Sequence, residues 1–175
     1  MTKVASRTAA AKIVSWTVVF LWMALIFFLS RQPGTESGEL SRGITAFIID
    51  IARKVAPQFD LETSNFHFFI RKNAHFFAYF ILGVFVMNAM RTSRIVGFRR
   101  FAWTIVICVL YAISDETHQL FIPGRSGEVR DVLIDTAGAA TGIGFYLLIS
   151  WFFSKRSRYS KKVHEADSIH ARQRF

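Results

Sequence analysis

The stretch Ser114–Arg125, SDETHQLFIPGR, sets two carboxylates, an imidazole, an amide and a guanidinium side by side after an apolar run. Asp115 or Glu116 is of the right type for a general base, His75 for its partner, and Arg125 for holding an anionic group. Further polar residues stand at the ends of other apolar runs: Ser30, Arg31 and Gln32, then Arg71, Lys72 and His75, then Asp131 and Asp135. No nucleophile with an adjacent base is evident, and there is no Walker loop, dinucleotide fingerprint or Gly-x-Ser-x-Gly elbow. His75, Glu116, His118 and Asp131 are metal-ligand types, but none has His-Glu-x-x-His spacing and the one cysteine, Cys108, lies in an apolar run. Neither a metal nor a cofactor is expected.

The elements that must carry these residues are membrane spans. The 175-residue chain is 52% hydrophobic, with 19 Phe and 4 Trp, yet has a formal net charge of +10. Such apolarity suits a chain with basic flanks in a bilayer better than a soluble domain. Its basic residues sit at the ends of apolar runs and not along one stripe, so no nucleic-acid partner is expected. Ile13 to Leu29 holds no charge and approaches the ~20 residues that cross hydrocarbon. It is too long for a signal-peptide core, and FFLSRQ offers no small-x-small cleavage site, so it reads as a retained first span. Uncharged runs from His75 to Met90 and from Phe101 to Ser114 are shorter and must borrow polar flanks. A fourth span, Val132 to Phe153, contains Asp135 and has Gly138 and Gly142 at a spacing that lets helices approach closely.

The expected fold class is an all-α integral membrane protein with four transmembrane helices plus an amphipathic helix in the outer interface. That extra helix is read from Ile44, Phe47, Ile48, Ile51 and Val55, with Pro57 ending it. The chain then divides into a basic N-terminus (1–12), a four-span membrane domain (13–153) and a basic tail (154–175). Lys and Arg gather on segments that share one side, which predicts a multi-pass protein of the cell membrane with both termini cytoplasmic. Every polar cluster then falls on the outer side. Counting ~20 residues outward from Arg100 reaches Gln119, so Asp115 and Glu116 belong to the helix end, where they oppose the macrodipole and need partners. Arg71, Lys72 and Arg125 are candidates, and Asp115 and Gln119 would share a helix face, as would His75 and Tyr79.

Two accounts fit this convergence. In one, the charges form an ion-pair network that clamps the helix ends of a structural or accessory subunit. In the other they line a polar pocket for the head group of a membrane lipid or lipid-linked cell-wall intermediate. Arg71, Lys72 and Arg125 would face an anion there, and Ser30, Gln32, Gln119, Asp131 and Asp135 would complete the wall. A small transporter is a third reading, opposed by inner span halves almost devoid of ionisable groups. The sequence fixes neither a reaction nor an oligomeric state.

FFLSRQP, RKNAHFFAYFILG, YAISDETHQLFIPGRSGEVRD and DVLIDTAGAATG, in this order, resemble the motif set of the VanZ-like family, named for a membrane protein associated with teicoplanin resistance. The resemblance spans roughly residues 25 to 145. Ser30 and Gln32 match its first motif, Lys72 and His75 its second, Asp115, Glu116, Gln119 and Arg125 its third, and Asp131 and Gly138 its last. Ala78 stands where many members have Glu, and Asp135 where many have Asn. The resemblance implies a four-span cell-envelope protein that influences glycopeptide susceptibility, without assigning a reaction.

Overall fold

The computed structural model describes residues 2–32, 63–125 and 127–172, with side chains described over 9–32, 72–125 and 127–156. Its elements are helices: α1 (Thr2–Ser30), α2 (Thr63–Thr92), α3 (Gly97–Gln119) and α4 (Val129–Arg172). The proposed interfacial helix over residues 44–55 lies outside the described residues. Two compact units are distinguished, Met1–Ile143 and Gly144–Phe175.

Among the described residues, four stretches are long and apolar enough to cross a bilayer: Ala9–Ser30, Lys72–Thr92, Gly97–Gln119 and Val129–Arg156. The third span runs to Gln119, as the count from Arg100 requires, so Asp115 and Glu116 are helical residues. The helices wear their apolar residues outward: Phe20, Leu21, Trp103, Leu110 and Leu133 are more than half exposed. A helix hydrophobic all round suits lipid, where apolar side chains satisfy both the interior and the surroundings.

In the first unit, α1, α2, α3 and the start of α4 alternate in direction. Trp22 Nε1 donates to the Ala78 carbonyl at 2.9 Å and Trp16 Nε1 to Ser93 Oγ at 3.0 Å, tying α1 to α2 along its length. The Tyr111 hydroxyl donates to the Met23 carbonyl and so joins α3 to α1. Val19, Ile26, Tyr79, Leu82, Val86, Cys108, Ala112 and Ala139 form the core between them. Where α2 meets α4 the contact is backbone on backbone. A Cβ at Gly83 would stand 2.5 Å from the Ala139 carbonyl oxygen, and Cβ atoms at Gly138 and Gly142 would run into the carbonyls of Phe76 and Phe80. The glycine spacing read from the sequence is thus a helix-packing seam.

The α2–α3 turn closes tightly. Ile95 N donates to the Met90 carbonyl at 3.1 Å and Arg94 N to the Arg91 carbonyl at 3.0 Å, with Arg94 at φ 62. This is the Schellman closure, with arginine in the left-handed position that glycine usually takes. It lies at the end of the bundle opposite Asp115, together with Arg91, Arg99 and Arg100.

Within the second unit, Gly144 to Arg172 is helical and carries exposed Leu148, Trp151, Phe152 and Phe153. Lys155 lies over the Trp151 ring at 5.2 Å, a basic side chain against an aromatic at the end of the apolar run.

Candidate functional site

Because the helices alternate in direction, the end of α1, the first span residues of α2, the end of α3 and the start of α4 come together. Asp115, Glu116 and Gln119 are on the buried face of α3 at i, i+1 and i+4, and all three are nearly inaccessible. Ser30, the last residue of α1, is likewise buried and donates from Oγ to Asp115 Oδ2 at 2.8 Å. Gln119 Nε2 spans both acids, 3.4 Å from Asp115 Oδ2 and 3.3 Å from Glu116 Oε1. The i,i+4 pairing expected for Asp115 and Gln119 is present.

The turn after α3 brings a further donor. Gly124 takes φ 73, which glycine accepts without strain, and reverses the chain. Gly127 then packs so close that a Cβ there would stand 2.5 Å from the Glu116 carbonyl oxygen. That approach lets Glu128 N donate to Glu116 Oε2 at 2.9 Å. The Glu128 carbonyl in turn accepts from Asp131 N at 2.9 Å, opening α4.

Lys72, a candidate partner for Asp115 and Glu116 by its sequence position, turns to other acids. Its Nζ contacts Asp131 Oδ1 and stands 3.4 Å from Glu128 Oε2. Both acids lie at the opening of α4, where negative side chains complement the helix dipole and collect the cation from α2. Asp115 and Glu116 are partnered instead by a hydroxyl, an amide and a backbone N–H. His75 approaches Asp135 on α4, with Nδ1 3.7 Å from Oδ1.

The remaining positions divide. Arg125 is half-buried within the turn, Gln32 is half-buried just past α1, and the Arg71 side chain is outside the described residues. His118 is stacked on Phe27 at a centroid distance of 4.4 Å. Among the described residues the metal-ligand types that come together are His75, Glu116 and Asp135, in place of the four-residue set considered from the sequence. Glu128 was missed as a site residue. The signal was its i,i+3 spacing from Asp131 at the start of a span, which puts both carboxylates on one face.

A helical bundle with outward apolar faces and a buried polar cluster at one end defines a multi-pass membrane protein. The family model described as VanZ/LLP1 matches residues 15–150, and the chain belongs to that family. No curated protein and no solved structure matches it.

Proposed function

We propose that this protein binds the head group of an envelope lipid or lipid-linked cell-wall intermediate at the extracytoplasmic face, and thereby lowers susceptibility to teicoplanin-type glycopeptides. The supporting observation is that Ser30, Lys72, His75, Asp115, Glu116, Gln119, Asp131 and Asp135 converge from four helices onto one end of the bundle. Polar groups gathered at membrane depth face protein or ligand, not lipid tails. Carboxylates outnumber cations in this set, which favours a head group rich in hydroxyl or amine donors, such as a sugar carried on a lipid phosphate. Lys72 and Arg125 would meet the phosphate. Asp115, Glu116 and His75 would serve as acid–base groups if the head group is modified as well as held.

The test is the native lipid mass spectrum of the purified protein, wild type against Arg125→Ala and Lys72→Ala. An anionic or polyprenyl lipid that co-purifies with wild type and is lost from the variants is the expected result. Identical spectra from folded proteins would refute head-group binding at this end.

A structural clamp is the second reading, favoured by the engagement of Lys72 with both Asp131 and Glu128 across α2 and α4. It predicts that the swap Lys72→Asp with Asp131→Lys restores thermal stability and full phenotype together, whereas a head-group site would recover stability alone.

A further inference from the structure

His75, Glu116 and Asp135 come from three different helices, and one ligand atom of each lies within 4.8 Å of the other two. Asp135 is fully buried, yet among the described residues neither of its carboxylate oxygens has a hydrogen-bond partner. His75 Nδ1, at 3.7 Å, is outside hydrogen-bond range. Buried carboxylate oxygens ordinarily collect donors, and none of the described side chains stands within hydrogen-bond distance of these. Tyr79, one turn beyond His75 on α2, also has a buried hydroxyl without a hydrogen-bond partner among the described residues. Lys72, which lines one cleft with His75 and Asp135, directs its Nζ to Asp131 and Glu128.

We propose that His75, Glu116 and Asp135 bind a divalent cation through one imidazole nitrogen and two carboxylate oxygens. Two ligands on one ion with bonds of ~2.0–2.2 Å can stand at most ~4.4 Å apart, so the trio closes onto an ion by a small side-chain adjustment. One nitrogen and two oxygens suit zinc or manganese and exclude the soft ions that select sulfur. Glu116 is already oriented by Gln119 Nε2 on one oxygen and Glu128 N on the other, and each oxygen keeps a lone pair for a metal. A small cleft lined by Lys72, His75, Asp131, Ile134 and Asp135 leads to the site. A divalent charge would also offset two carboxylates that otherwise repel each other in a buried setting. This inference does not require lipid binding; with His75 and Glu116 committed to the ion, Asp115 alone of the three acid–base candidates would remain for that role.

The experiment uses the full chain with a tag that binds no metal, and with His164→Ala and His170→Ala removing the imidazoles of the basic tail. Purified in detergent, it is titrated with Zn(II) and separately Mn(II) against a chromogenic chelator, and bound metal is counted by elemental mass spectrometry. The expected result is one ion per chain, with binding weakened at least about tenfold by Asp135→Asn and by His75→Gln, and unchanged by His118→Gln, an imidazole outside the trio. Thermal unfolding with and without metal identifies any variant that fails to fold, in which case Glu116→Gln takes its place. A wild-type melting temperature that rises with metal, and a ligand variant whose does not, would agree with the site. Absence of stoichiometric metal on the folded wild type, or binding that survives the ligand substitutions, would overturn it.

Discussion

Ser30 shows how one small side chain can partner a buried acid across two helices. Its hydroxyl is the closest donor to Asp115, on a helix that would otherwise present only apolar residues there. Ser30→Ala removes that donor and leaves Asp115 Oδ2 with the longer bond from Gln119. Cross-helix polar contacts in membranes contribute about 0.5–2 kcal/mol, and a loss of that size is expected in detergent unfolding of Ser30→Ala. If the bond matters through Asp115, the same substitution in an Asp115→Asn background will differ in effect, a coupling that a double-mutant cycle reads directly. The identities of these residues were legible in the sequence. Their pairings were not, because a pairing depends on which helix ends meet: Lys72 went to Asp131 and Glu128, and His75 to Asp135.

At the scale of the helix, the α2–α4 seam is held by absence of side chains. Gly142 faces the Phe80 carbonyl and Gly138 the Phe76 carbonyl, so any Cβ forces the helices apart. Gly142→Val is expected to destabilise by at least about 2 kcal/mol, since overpacking a close contact typically costs about 1–3 kcal/mol. Gly144→Ala is the matched control, with nothing within 4 Å of the added carbon. Alanine's higher helix propensity should leave that variant neutral or more stable by up to about 1 kcal/mol. Melting both variants in the same detergent separates loss of the seam from general glycine replacement. Because His75 and Asp135 sit on the two helices of this seam, Gly142→Val should also reduce any metal bound by the trio.

For the molecule as a whole, the distribution of charge carries the prediction of orientation. The buried carboxylate end and the arginine-bearing α2–α3 turn are at opposite ends of the bundle, and the positive-inside rule assigns the arginines to the cytoplasm. Phe121 and Phe98 are each 79% exposed, one beside each end. In a Cys108→Ala background, a membrane-impermeant maleimide should label Phe121→Cys in intact cells and Phe98→Cys only after permeabilisation. The reverse pattern would turn the protein over and move the proposed head-group site to the inner leaflet.

Composition and the period of apolar runs were enough to determine four spans, because a bilayer demands long apolar helices wherever a chain crosses it. The extension of α3 to Gln119 followed from length alone, and the glycine seam from spacing. Tertiary structure decided what local pattern cannot encode. His75, Glu116 and Asp135 lie far apart in sequence on separate helices, and only the alternating packing of those helices brings their ligand atoms within 4.8 Å. The same packing buried Asp135 with no hydrogen-bond partner among the described residues, because a rigid helix fixes where a short side chain ends.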